Sequence, residues 1–229
     1  MKHLLSGLIL LFALTIWKPI SAQKNDLNCF NKIDVSSGID VELILDKSCA
    51  VEWTLVNIGQ DKVVAQIEDK TLKLKTKFGI YKDATIKAKV YYNELTGITT
   101  SGRGVIWSGE ELYVDKINFN LGSGGEARLT VHADTLNATL TEGSVITVEG
   151  DADVIDVKVG TGATFSGYNL NSRVAKVFSN SGAKAKIAVS ENLYAKATSK
   201  GFIGFIGEPK FLVKDATLGG EISQTVKEQ

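Results

Sequence analysis

The sequence predicts an all-β fold, a single-chain β-helix or solenoid whose coils are 19–20 residues long. Three observations indicate it. Glycines recur at a nearly constant step, apolar and polar residues alternate on both sides of those glycines, and only two prolines interrupt the 229 residues. A fixed period of this length is typical of stacked supersecondary repeats. Since strand crossovers are usually right-handed, we expect a right-handed solenoid.

The glycines of the second half of the chain form a ladder with steps of 19, 19, 20, 19 and 19 residues. A tight corner needs a backbone with φ > 0, which glycine adopts at little steric cost. We therefore predict regular coils over residues 101–224, beginning near Gly104. The predicted corners are Gly124, Gly143, Gly162, Gly182, Gly201 and Gly220.

Alternation before each ladder glycine predicts a strand with one buried face and one exposed face. One such unit cannot bury its apolar side alone, but stacked units can. The predicted inward stack is Phe119, Ala138, Val157 and Val177, and the predicted outward stack is Asn118, Asn137, Asp156 and Lys176.

The first half of the chain has longer strands and less regular spacing. Residues 33–45 alternate around the turn Ser36-Ser37-Gly38, which predicts two strands joined by a corner. Further strands are expected near residues 51–55, 63–67, 72–75 and 86–92. No linker separates the halves. We therefore expect one domain over residues 23–229, in which residues 30–100 form irregular coils or a cap on one solenoid end.

The first 22 residues have the features of a secretory signal peptide. Met1-Lys2-His3 is followed by the apolar run Leu4–Trp17 and by a small residue, Ala22. At 14 residues the run is short for a membrane span, which needs about 20. We expect an exported protein, in the periplasm or at the cell surface, with no membrane span after removal of the signal. A retained N-terminal anchor is the alternative.

Charge argues against a nucleic-acid partner. Two of the 26 basic residues lie in the predicted signal, which leaves 24 against 26 acidic residues. No basic patch stands out, whereas nucleic-acid binding requires one.

Two cysteines, Cys29 and Cys49, remain after the predicted signal. Export permits a disulfide. If the chain folds back at Ser36–Ile39, the two residues come close enough to bond. Two separate buried thiols are the alternative.

Several segments resemble a known family. The opening Phe30-Asn31-Lys32-Ile33-Asp34-Val35-Ser36-Ser37-Gly38-Ile39-Asp40-Val41 is similar to that of the auto-transporter adhesin head domain, the GIN domain. Leu72-Lys73-Leu74 and the segment from Leu95 to Gly104 extend the resemblance, which covers about residues 30–224. The resemblance implies an exported β-helix-like protein of Bacteroidetes-type bacteria with a role in adhesion. Asn93-Glu94 stand where the family often has a proline.

Few residues have the pattern of a catalytic site. His132 is the one histidine after the predicted signal, which excludes an HExxH zinc site. A Ser-His-Asp triad would have to use His132, and no G-x-S-x-G motif marks a nucleophile. We expect no enzymatic activity and no cofactor.

An acidic ladder is the most specific feature with a chemical interpretation. Asp115, Asp134 and Asp153 share one place in the repeat, so stacking sets them about 4.8 Å apart. Carboxylates that close would favour a cation such as Ca²⁺. The alternative, which we prefer, is that aspartate simply suits a turn.

Two sets of aromatic and apolar residues are candidates for ligand contact. In Phe202-Ile203-Gly204-Phe205-Ile206, the ladder places Ile203 and Phe205 on the outward side, as a contact patch or as a surface covered by residues 218–226. Tyrosines would stack on sugar rings if exposed, although strand packing is the commoner role. They are Tyr81, Tyr91, Tyr92 and Tyr168.

These features favour a non-catalytic exported solenoid that binds a surface ligand, either a glycan or an envelope or host protein. A carbohydrate-active lyase or hydrolase using the acidic ladder is one alternative, and a periplasmic structural or signalling protein is another. The sequence does not specify the ligand or the oligomeric state.

Overall fold

The computed structural model describes residues 24–225, so the predicted signal peptide lies outside the described residues. Sixteen strands and one short 3-10 turn, Gln60–Lys62, make up its regular structure, and the described part contains no α-helix. Nothing in residues 24–225 forms a helix that could cross a membrane. The strands are β1 Lys24–Asp26, β2 Lys32–Val35, β3 Asp40–Leu45, β4 Ala50–Val56, β5 Val63–Glu68, β6 Thr71–Thr76, β7 Thr85–Tyr92, β8 Gly97–Thr100, β9 Val105–Leu121, β10 Glu126–Leu140, β11 Val145–Val159, β12 Thr164–Ser179, β13 Lys184–Ala197, β14 Phe202–Ile206, β15 Phe211–Ala216 and β16 Glu221–Gln224.

The predicted β-solenoid is confirmed. Consecutive long strands β9 to β13 pair in parallel, and the chain advances about 19 residues per coil over about seven coils. Each coil runs through the second half of one strand, turns a corner and continues into the first half of the next. Register shifts between Arg128 and Thr130, and between Thr147 and Glu149, disrupt the ladder within these long strands, as bulges do.

The inward and outward stacks have the predicted register. Phe119, Ala138, Val157 and Val177 pair in turn across β9 to β12, and all four are buried. Fully burying a side chain of valine or phenylalanine size is worth about 1.5–3 kcal/mol, so each added coil extends one continuous apolar core.

The corners are two-residue turns whose central residues both have φ > 0. In one of them Ser144 donates its N–H to the carbonyl of Thr141 at 3.1 Å, while Glu142 and Gly143 have φ of 54° and 69°. These values describe a type I′ turn. Corresponding corners are Gly102-Arg103, Ser123-Gly124, Thr161-Gly162, Ser181-Gly182, Ser199-Lys200 and Leu218-Gly219.

Three predicted corner glycines are therefore wrong by one residue. The second positive-φ residue is Arg103 rather than Gly104, Lys200 rather than Gly201 and Gly219 rather than Gly220. The three glycines occupy the next position, which closes the turn and lies against the preceding coil. A Cβ on Gly201 would lie 2.3 Å from the carbonyl oxygen of Ser179, so close approach and not φ requires glycine there.

That error reverses the predicted orientation of β14. In a strand, a shift of one residue exchanges the two faces. Ile203 pairs with Ala185 and Phe205 with Ile187, and Ile203 and Phe205 are both buried in the core. The predicted contact patch at Phe202, Ile203 and Phe205 is therefore wrong for the last two residues, and Phe202 is half-buried.

The chain order and the spatial order differ at the N-terminal end. Strands β2 and β3 form a coil that lies between the β8–β9 coil and a further coil made by β6 and β7. Strands β4 and β5 then pair antiparallel with β7 and β6, and β1 pairs antiparallel with β4. Cys29 and Cys49 form a disulfide at this end, with their Cα atoms 5.1 Å apart.

The C-terminal end continues the parallel stack to its last strands. Strand β15 pairs with β13, and β16 pairs with β14. Residues 218–224 thus add to the last coil, whereas we predicted that they would fold over β14 as a cover. Ile222 packs against the core, but the side chains of β15 are largely exposed.

Candidate functional site

The last coils carry an exposed apolar surface on the outer side of the sheet, formed by Phe178, Tyr194, Phe211 and Val213 and called here the aromatic face. Tyr194 lies beside Lys176 in β12 and Val213 in β15, and Asn192 lies beside Phe211. These pairings continue the outward stack of Asn118, Asn137 and Asp156. The aromatic face is thus the end of a stack that begins with polar residues.

Exposure distinguishes the aromatic face from ordinary strand packing. The exposed fractions are 45% for Tyr194, 51% for Phe211 and 42% for Val213, while Phe178 is half-buried. The ring centroids of Tyr194 and Phe211 lie 5.6 Å apart with a tilt of 50°. A shallow groove of about 400 Å³ runs past Phe178, Tyr194 and Val213.

Charged side chains border this groove on several sides. Lys196 and Asp215 form a salt bridge of 2.7 Å between β13 and β15. Asp156, Lys158 and Lys176 also line the groove. The ion pair that the sequence suggests between Asp156 and Lys176 is not among those formed in residues 24–225. The groove therefore offers both cationic and anionic groups beside exposed rings.

The acidic ladder has the expected register, but its last member is neutralised by an arginine. Asp115, Asp134 and Asp153 lie in neighbouring coils, and Arg173 follows in the next one. Arg173 donates from Nε and Nη2 to the two carboxylate oxygens of Asp153 at 2.7 and 3.0 Å, and from Nη1 to Glu191 at 3.0 Å. This fork-like pairing is the strong geometry for arginine and carboxylate.

The arginine also sets the protonation of its neighbours. Its hydrogen bonds lower the pKa of Asp153 and of Glu191, and the same bonds, chiefly the one to Asp153, raise the pKa of Arg173. No group of three or more His, Cys, Asp or Glu side chains within residues 24–225 is arranged to hold a metal ion. The calcium interpretation of Asp115, Asp134 and Asp153 finds no further support in this geometry.

His132 lies between two carboxylates in a second polar cluster. Its Nδ1 is 3.0 Å from Asp151 Oδ1, and its Nε2 is 3.4 Å from Glu111 Oε2. The ring of Tyr113 stacks on the imidazole with centroids 4.6 Å apart, and the Tyr113 hydroxyl donates to Glu111. A Ser-His-Asp triad needs a hydroxyl at one ring nitrogen, whereas here both nitrogens face carboxylates.

The tyrosines that we considered for sugar stacking have other surroundings. Tyr92 is buried, Tyr91 donates to Glu52, and Tyr168 bonds with Thr225. Tyr81 donates its hydroxyl to the backbone carbonyl of Lys77. Sequence reasoning missed Tyr194, although its outward place in the repeat, 18 residues after Lys176, was a usable signal.

Comparison with known proteins supports the family suggested by the sequence. The family model described as putative auto-transporter adhesin, head GIN domain, matches residues 29–209. A search of curated proteins finds no match.

Several solved structures share the fold. A crystal structure of a putative adhesin from Bacteroides fragilis NCTC 9343 superposes with a TM-score of 0.76 at 17% identity, covering 89% of this chain and 96% of that one. A putative adhesin from Parabacteroides merdae ATCC 43184 gives 0.73 at 16% identity over 90% and 96%. A protein described as a putative lipid binding protein, from Parabacteroides distasonis ATCC 8503, gives 0.67 at 18% identity over 89% and 96%.

Proposed function

The chain belongs to the adhesin head GIN domain family, and we propose that it is an exported, non-catalytic binding protein of the adhesin type. In this proposal the aromatic face binds a glycan. The observation that carries the proposal is the exposure of Tyr194 and Phe211 side by side on a sheet whose outward positions are otherwise mostly polar.

Glycan chemistry suits this surface. Aromatic rings offer large, rigid apolar faces, and the apolar faces of sugar rings stack on them. The charged groups of Lys158, Lys176 and Asp156 at the groove provide hydrogen bonds for sugar hydroxyls. The polar stack below, which includes the bond of 3.0 Å from Asn137 to Asn118, would extend the contact along a glycan chain.

The acidic ladder and His132 favour binding over catalysis. Glycoside hydrolysis needs two carboxyl groups that flank the bond, one of them held protonated. Asp153 is held instead by Arg173, which stabilises its ionised form. His132 lies against Glu111 and Asp151 and has no hydroxyl nucleophile within the contacts described above.

A glycan array tests the proposal directly. Labelled protein, purified after export, is applied to bacterial and host glycans together with the double variant Tyr194→Ser/Phe211→Ser. Because both side chains are exposed, the variant should fold normally. We expect binding to one glycan class and a loss of at least about tenfold in the variant, since stacking residues dominate such contacts.

Tyr113→Ser supplies the matched control, because Tyr113 is an equally exposed aromatic residue outside the aromatic face. It should bind like the wild type. Equal binding by the double variant, or no binding to any glycan, would remove the glycan proposal. Capture of an envelope protein that depends on Tyr194 and Phe211 would assign the face to a protein ligand instead.

Fractionation tests the proposed export. The N-terminus of the mature protein, determined by mass spectrometry, should lie at residue 23. Digestion of intact cells by an added protease separates the two expected locations, since a surface protein is cleaved and a periplasmic one is protected. Recovery of the full chain from the cytosol would contradict export.

A further inference from the structure

One corner of the N-terminal end is enlarged into a protruding loop. Strands β2 and β3 are joined by the four residues 36–39, whereas β6 and β7 are joined by the eight residues 77–84. The connection of β4 to β5, residues 57–62, runs beside this loop. Lys77 donates its N–H to the carbonyl of Lys62 at 2.8 Å, and Asn57 donates to the carbonyl of Asp83 at 3.1 Å.

The tip of this loop exposes two large apolar side chains. Phe78 is fully exposed, at 107% of its reference area, and Ile80 is 91% exposed. No other large apolar residue within 24–225 is as exposed as these two. Burying such side chains is worth about 1.5–3 kcal/mol each, and the loop leaves this free energy unused.

The loop holds these side chains outward by a specific contact. The Tyr81 hydroxyl donates to the carbonyl of Lys77 at 2.9 Å, which closes the loop across its base. A Cβ on Gly79 would lie 2.8 Å from the Tyr81 ring, so the ring folds over Gly79 and occupies the space beside it. Phe78 and Ile80, on either side of Gly79, are left at the tip.

Basic residues surround the apolar tip. Lys75, Lys77 and Lys82 are exposed, and none of the three forms a salt bridge within residues 24–225. The neighbouring Lys62 is already paired with Asp61 at 2.8 Å. A convex apolar tip ringed by free lysines matches the boundary between the headgroups and acyl chains of an anionic bilayer, where long cationic side chains reach the phosphates.

We propose that the loop at residues 77–84 is an interfacial anchor that inserts Phe78 and Ile80 into the surface of an anionic phospholipid bilayer, with Lys75, Lys77 and Lys82 on the lipid phosphates. This attachment is separate from glycan binding by the aromatic face. The two lie at opposite ends of the solenoid, since six strand spacings, roughly 30 Å, separate β7 from β13. A chain attached by its loop therefore holds the aromatic face away from the bilayer.

Vesicle co-sedimentation tests this anchor. The protein, purified after export with its N-terminus defined by mass spectrometry, is mixed with vesicles of phosphatidylcholine alone or of equal parts phosphatidylcholine and phosphatidylglycerol. We expect binding to the anionic vesicles that weakens with added salt. Phe78→Ser/Ile80→Ser should lose at least about tenfold of it, and Lys77→Gln/Lys82→Gln should lose binding to the anionic vesicles only.

Leu218→Ser is the matched control, because Leu218 is an exposed apolar residue at the opposite end of the solenoid. It should bind vesicles like the wild type. All these side chains are exposed, so unchanged thermal midpoints will show that folding is intact. The proposal is overturned if the wild type binds neither vesicle, or if Phe78→Ser/Ile80→Ser binds as well as the wild type. Loop-dependent capture of a protein without vesicle binding would also overturn it.

Discussion

The two ends of the solenoid solve the problem of an open sheet edge in different ways. At the N-terminal end, the antiparallel strands β1, β4 and β5 lie outside the last parallel coil, and the bond between Cys29 and Cys49 ties the chain there. At the C-terminal end, no antiparallel strand covers β15 and β16 in the part of the chain that the structure describes. Outer strands with free backbone groups can pair with other chains, so each end needs protection.

A lysine protects the C-terminal end. Lys214 pairs with Ala195, an inward position of β13, and its Nζ lies 4.9 Å from the centroid of the buried Phe205 ring. An inward-pointing charge on an outer strand opposes the addition of a further strand. The comparison shows that one end is closed by covalent and antiparallel structure, whereas the other ends on a parallel coil and a single charged side chain.

The largest expected effect contrasts the middle of the stack with its C-terminal end. Ile155 is fully buried in β11, whereas Leu212 faces inward but is 41% exposed in β15. Ile155→Ala should lower the free energy of unfolding by about 3–4 kcal/mol, and Leu212→Ala by about 1 kcal/mol or less. Urea denaturation measures both. Equal losses would mean that the C-terminal end is as well packed as the middle.

The disulfide should stabilise only the N-terminal end. A bond across a sequence separation of 20 residues contributes about 3 kcal/mol through the unfolded chain. In Cys29→Ser/Cys49→Ser, amide hydrogen exchange should accelerate in β1, β4 and β7 and stay unchanged in β12. Uniform acceleration across all the coils would show instead that the solenoid unfolds as one cooperative unit.

A corner substitution gives a smaller effect, of opposite sign in two coils. Lys200 has φ of 62°, in a region that costs a residue with a Cβ about 1–2 kcal/mol, so Lys200→Gly should raise stability by about 1 kcal/mol. At the equivalent Gly143, with φ of 69° and open space around its Cβ position, Gly143→Ala should lower it by a similar amount. Thermal denaturation would contradict the corner assignment if Lys200→Gly destabilised the protein.

The smallest expected effect is the pH dependence of the Asp153–Arg173 pair. Because Arg173 lowers the pKa of Asp153 below the ordinary value of 3.8, the pair contributes stability above that value and loses it as the pH falls through the lowered pKa. The difference in unfolding free energy between wild type and Asp153→Asn should thus be present at neutral pH and vanish in acid. A difference that grew on acidification would contradict this sign.

Much of the regular half could be predicted because each coil repeats the same physical requirement. The step of the glycines and the alternation before them gave the correct register for Phe119, Ala138 and Val157. The disagreement at Gly201 has a physical cause. Glycine is required both where φ is positive and where backbones approach closely, and a sequence does not distinguish the two reasons. Lys200 takes the positive φ, and Gly201 makes room for the Ser179 carbonyl.

The candidate sites were harder to predict because they depend on which strands become neighbours. Tyr194 and Phe211 meet only because β15 pairs with β13, with β14 placed between them in the sequence. Phe78 and Ile80 alternate like strand residues, so an apolar pattern alone did not mark them as exposed. The Arg173 bridge to Asp153 required the exact coil register, which the ladder gave only approximately in that coil.

A crossed binding experiment tests the central claim, that the two ends of the solenoid have separate binding surfaces. Wild type, Tyr194→Ser/Phe211→Ser and Phe78→Ser/Ile80→Ser are each measured against a glycan array and against anionic vesicles. We predict that the first variant loses glycan binding and keeps vesicle binding, and that the second does the reverse. Loss of both activities in one variant, or of neither in both variants, would contradict the separation of the two surfaces.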